Sequence, residues 1–128
     1  MQARQTRQSG TALPKGLQVN IGRVSVATYQ LPVGLGDCSV HLLVDENDNV
    51  VSGFLMDGGK DARGIVAAKV IYDGLRILKA AYGKGWTGLR AWVVTHWDED
   101  HYKGMADLII NKRAPEFFMK DARFYAGP

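Results

Sequence analysis

Residues 89–101 read Leu89-Arg90-Ala91-Trp92-Val93-Val94-Thr95-His96-Trp97-Asp98-Glu99-Asp100-His101, a run that decides how the rest of the chain is read. Its first half is apolar almost throughout, which predicts a strand buried on both faces. Its second half packs His96, Asp98, Glu99, Asp100 and His101 into six positions. Imidazole nitrogen and carboxylate oxygen are the ligands that suit zinc, manganese or iron near neutral pH. Open α/β sheets carry their sites outside the carboxyl ends of their strands, so a strand ending in such a loop predicts a metal centre there.

Upstream, Ile65, Ala68, Ile71, Leu75, Leu78 and Tyr82 step by three or four, predicting a helix from about Ala62 to Tyr82. Before it, Val50 to Met56 reads as a strand ending in the Gly-rich loop Asp57-Gly58-Gly59-Lys60-Asp61. Strand, helix and strand form a βαβ unit, which implies a parallel pair joined by a right-handed crossover. Cys38, Val40, Leu42 and Val44 alternate with Ser39 and His41 in a further strand. The turn Asp45-Glu46-Asn47-Asp48-Asn49 makes Val50 to Met56 its antiparallel partner. Arg23 to Leu31 alternates Val24, Val26 and Thr28 against Arg23, Ser25 and Ala27, and Pro32 to Asp37 breaks it with turn residues. The first half is therefore a β-meander.

Downstream, Met105, Leu108 and Ile109 predict a short helix from roughly Tyr102 to Lys112, and Pro115 follows its end. Glu116 to Lys120 and Phe124-Tyr125 read as one or two more strands. The fold class is α/β (α+β): a β-meander, a βαβ unit and a short helix. Residues 1–22 form the expected disordered basic tail, with residues 23–128 as the domain.

The chain has 128 residues, enough to bury a core without disulfides or structural metal. Its net charge of +3 equals the contribution of Arg4, Arg7 and Lys15 in a tail without acids, so residues 23–128 are balanced. That is not the broad basic face of a protein that neutralises many phosphates. Apolar runs fall far short of the ~20 residues of a membrane span, so no membrane partner is expected. Cys38 is the only cysteine, which excludes an internal disulfide and points to a reducing, cytoplasmic setting. Mitochondrial targeting by the basic tail is the alternative. Cys38 alternates with apolar neighbours and reads as core, and His41 reads as a solvated side chain. Gly53 to Lys60 is no phosphate loop, since its lysine is one place late and Asp61 stands where Ser or Thr should hold magnesium. Gly34-Leu35-Gly36 lacks the third glycine of a dinucleotide loop.

The 96–101 segment resembles the His-x-His-x-Asp-His motif of the metallo-β-lactamase-fold superfamily. With Asp98 at the second ligand position it is most similar to the branch seen in DNA-uptake competence-type hydrolase domains. Val33-Gly34-Leu35-Gly36-Asp37-Cys38 resembles that family's Gly-x-Gly-Asp turn, and Phe54 to Gly59 its strand ending in Asp-Gly-Gly. The resemblance spans about residues 23–113 and implies the N-terminal half of an αββα sandwich. It implies one or two divalent metal ions, zinc first with manganese or iron beside it. His96 and Asp98 would lie on one ion, and Asp100, as the catalytic carboxylate, with His101 on the other. Asp57 would organise the loop, and Gly58 and Gly59 would allow close backbone approach beneath the metals. The activity implied is metal-bound hydroxide attacking an ester, thioester, amide or phosphodiester, in a small-molecule or phosphodiester substrate.

The chain departs from the family pattern after the loop. No histidine follows His101, and the later acids are Asp107, Glu116 and Asp121 only. A complementing second half or a homo-oligomer is the partner this implies. A truncated, non-catalytic fragment acting as a binding module is the alternative function. A nucleic-acid-processing role, from the competence-type likeness and the basic tail, is a third. The plainest reading of the loop is a solvated turn with a capping Asp.

Overall fold

The computed structural model describes residues 2–5 and 16–127, in a mixed α/β arrangement of one sheet and two α-helices. The strands are β1 (Gln2–Gln5), β2 (Gly16–Ile21), β3 (Val24–Gln30), β4 (Cys38–Asp45), β5 (Val50–Asp57), β6 (Leu89–Val94) and β7 (Phe118–Ala126). Helix α1 (Ala67–Tyr82) joins β5 to β6, and α2 (Glu99–Ile110) lies between β6 and β7. Strand order in the sheet follows the chain from β1 to β7. The first five strands pair antiparallel, and β5–β6 and β6–β7 pair parallel. The meander and the βαβ unit are thus as expected.

Period-two patterning sets the buried face. Cys38, Val40, Leu42 and Val44 of β4 are all buried, as is Leu55 opposite Val40. Ala67, Ala68, Ile71, Leu75 and Leu78 of α1, with Met105 and Leu108 of α2, close over them in one core. Each large aliphatic side chain removed from water there contributes about 2 kcal/mol, which outweighs the modest helix propensity of the segment.

Several expectations need correction. The tail over residues 1–22 is not wholly a disordered segment: Gln2–Gln5 and Gly16–Ile21 are strands, and β2 pairs along β3 from Gly16↔Tyr29 to Ile21↔Val24. Val19 and Ile21 alternate with polar residues, a signal masked by the Gly and Pro that surround it; residues 6–15 lie outside the described segment. In β3 the buried positions are Ala27 and Tyr29, so Val24, Val26 and Thr28 face away from the core. Helix α1 begins five residues late because Arg63 and Gly64 have positive φ (54° and 78°) and the Asp61 carboxylate accepts the Ala67 amide.

Helix α2 begins at Glu99 rather than Tyr102, which puts Asp100 and His101 on its first turn. Acidic side chains are favoured there by the helix dipole. Residues 118–126 form a single strand. Finally, β6 is covered on one face only: Leu89 and Val94 are buried, Arg90 is exposed, and Ala91 to Val93 are half-buried. Both helices lie on the same side of the sheet, since both enter one core. The other face presents Val19, Val26, Leu43, Phe54 and Met56, half-buried, between exposed Leu17 and Tyr125.

Candidate metal centre

Three stretches far apart in sequence meet at the carboxyl ends of β5 and β6. The Gly34–Asp37 turn joins the loop after β5 through a Leu35↔Lys60 bridge and a Gly58 amide bond to the Asp37 carbonyl (3.1 Å). It also reaches α2: a Cβ on Gly36, whose φ is +79°, would collide with the Asp100 carbonyl. Helix α2 in turn rests on Gly58 and Gly59, with the Gly104 amide donating to the Gly59 carbonyl at 2.8 Å.

Asp57 is the hub. It is 4% exposed and sits at φ 61°, a left-handed conformation Asp tolerates better than most residues. Its Oδ1 accepts the Thr95 amide at 2.8 Å, and its Oδ2 accepts the Thr95 hydroxyl at 2.8 Å. His101 Nδ1 lies 3.1 Å from Oδ2. A histidine that donates one ring nitrogen to a buried carboxylate has its tautomer and orientation set, and its other nitrogen is left to bind. Here that other nitrogen, Nε2, stands 3.9 Å from Asp100 Oδ1.

Asp98, Asp100 and His101 each bring one ligand atom to within 4.8 Å of the others. Asp98 is at the N-cap of α2 yet makes no side-chain capping bond, so its carboxylate is not committed to the helix. Glu99 takes no part: it turns to Lys60 Nζ at 2.8 Å. His96 stands beside the group rather than in it; its ring centroid is 5.0 Å from that of His101, and Nδ1 is 3.3 Å from the Thr95 hydroxyl. Of the four expected ligands, the fold therefore gathers Asp98, Asp100 and His101 and leaves His96 at the rim. Two carboxylates and one imidazole suit zinc or manganese, and three protein ligands are the usual number at a catalytic zinc. A cleft of about 540 Å³ lies elsewhere, between α1 and α2 and lined by Lys69, Tyr72 and Arg113 among others.

Two functional positions had no expected role. Thr95 links Asp57 to the loop, and Lys60 draws Glu99 aside. Their only sequence signal is adjacency to Val94 and to the two glycines. Trp97 is 52% exposed beside the group, edge-on to Tyr102 and Phe124 at 5.9 Å each. Cys38 is fully buried, and burial followed by the Asp57 and Asp37 charges pushes its thiol far up, so it is a core side chain.

The hydrogen bond that His101 donates to Asp57 raises its pKa above the ordinary 6.5, whereas desolvation lowers that of His41. His41 is on the open sheet face, stacked on Phe54 at 4.7 Å and bonded to Ser39 (2.8 Å) and Thr28 (3.2 Å); it is not the solvated side chain expected. In a proton NMR titration of the metal-free protein, the midpoint of His101 should therefore lie above that of His41. Reversed midpoints would mean that the Asp57–His101 bond does not form in solution. No helix among the described residues is long and apolar enough to cross a membrane. Comparison with known proteins finds no matching family model, no similar curated protein and no similar solved structure.

Proposed function

We propose that the chain is a metal-dependent hydrolase built as the N-terminal half of a metallo-β-lactamase-like αββα sandwich. Its substrate is an ester, thioester, amide or phosphodiester. The observation that carries this reading is the convergence of Asp98, Asp100 and His101, with His101 steered by the buried Asp57. A divalent cation held there supplies Lewis acidity and makes water a nucleophile at neutral pH. The chain's own part is positional. Asp57 keeps the His101 proton on Nδ1, Thr95 holds Asp57 in place, and Lys60 removes the Glu99 charge from the group. Asp100 is the catalytic carboxylate of this reading, on the first turn of α2 beside Asp98 and His101.

Calorimetric titration with zinc and with manganese tests the reading. The chain should bind one ion of either metal. Asp100→Ala should weaken binding by more than about 100-fold, since loss of a ligand outweighs loss of a supporting hydrogen bond, which itself costs 10–100-fold. Absence of measurable binding to the unaltered chain would reject the metal centre.

A second reading, a non-catalytic binding module, draws on the apolar sheet face that no described element covers. A complementing sheet or a second copy is the partner this face suits. Under that reading, partner binding persists when Asp98 and Asp100 are both neutralised.

A further inference from the structure

We propose that β7 pairs with β7 of a second copy of this chain, antiparallel, about a two-fold axis at Ala122. Among the described residues, strand β7 is at the edge of the sheet with β6 its only neighbour. At nine residues it is the longest strand among the described residues, and it contains no proline. An edge of that length is a template for another strand unless a bulge, a proline or inward charge blocks it. The β6–β7 ladder is irregular over residues 119–122, where β7 has three residues more than β6 between the pairs Leu89↔Phe118 and Ala91↔Arg123, yet Phe118–Ala126 is one continuous strand.

Symmetry restricts the register. A two-fold perpendicular to the sheet puts one residue opposite its own copy and pairs the others about it. Centring on Lys120, Asp121 or Arg123 sets like charge against like charge, which is unfavourable in directly opposed positions. Centring on Ala122, the middle residue of Phe118–Ala126, uses the whole strand. It opposes Asp121 to Arg123 twice, Lys120 to Phe124, Met119 to Tyr125 and Phe118 to Ala126. Every charged residue of the strand then faces an opposite charge or an aromatic ring.

The side chains are free to do this. Asp121 and Arg123 are both exposed, and neither enters an ion pair among the described residues. Arg123 and Tyr125 align with Ala91 and Val93 on the open sheet face; Ala122 lines a helix-side cleft with Met105 and Ile109, so Asp121, two residues before Arg123, shares the open face. Phe124 lies on the helix side, stacked on Trp92 at 4.8 Å and still 51% exposed. Tyr125 is 53% exposed. Pairing covers part of both rings, and the two sheets become one continuous sheet.

The test is a charge-swap series on the whole chain, followed by sedimentation velocity over a dilution series, with circular dichroism to confirm the fold. The unaltered chain should be a dimer. Asp121→Arg puts Arg against Arg, and Arg123→Asp puts Asp against Asp, so each alone should weaken dimerisation by at least about tenfold. An equimolar mixture of the two variants should regain the dimer, because each strand then opposes only charges of the other sign. The neutral double variant Asp121→Asn with Arg123→Gln should dimerise more tightly than either swap. A monomeric unaltered chain, a dimer indifferent to both swaps, or a mixture no tighter than its components would each overturn the proposal.

Discussion

Asp57→Ala is expected to destabilise the chain by about 3–5 kcal/mol, the usual cost of breaking a buried, hydrogen-bonded charge pair by deleting one partner. The substitution leaves the Thr95 amide, the Thr95 hydroxyl and His101 Nδ1 facing a void. It also forces an alanine into the left-handed conformation at φ 61°. Asp57→Asn separates charge from shape. Asparagine tolerates that φ and can still accept from Thr95, so the loss should fall to about 1–2 kcal/mol. His101 then lacks a carboxylate to steer it, and metal affinity should drop by about 10–100-fold. Urea denaturation measures the first quantity and calorimetry the second. A change below ~1 kcal/mol for Asp57→Ala would show that these bonds do not tie the ends of β5 and β6 together.

Gly104→Val is expected to be nearly as damaging for a different reason. A Cβ at this position would collide with the Gly58 carbonyl and lie 2.6 Å from Ala67 Cβ. Backbone and Cβ atoms cannot swing aside as the end of a long side chain can, so α2 itself must move. Overpacking of this kind costs about 3 kcal/mol at its upper range. Displacement of α2 also carries Asp100 and His101 away from Asp98, so metal binding and stability should fail together. The same substitution at half-buried Ala106 should cost less than ~1 kcal/mol, mainly through lower helix propensity. Equal effects at Ala106 and Gly104 in thermal melts would show that the close approach of α2 to the Gly58–Gly59 loop is unimportant.

Much of the architecture was legible locally. Alternation in Cys38–Val44 has only one reading, and its core face is the one found. The three-and-four spacing of Ala68, Ile71, Leu75 and Leu78 marks α1 in the same way. Element ends were less legible. The start of α1 depends on an Asp61 side chain bonding to a backbone amide six residues on, and the start of α2 on an aspartate that makes no cap at all. Strand β2 was hidden by a composition typical of tails, and exists because β3 supplies its hydrogen bonds.

The sequence by itself determined the order of elements from β3 to α2, the core face of β4, and the six positions in which ligand-type side chains are crowded. Side-chain period and chemical type are properties of neighbouring residues, so they can be read without a fold. Only the tertiary structure decided which of those side chains converge. Asp98, Glu99 and Asp100 are consecutive and chemically alike. Lys60 draws Glu99 away, while Asp57 and the glycines beneath α2 hold His101 beside Asp98 and Asp100. Partners from three distant stretches make that choice, and no local pattern encodes their distances.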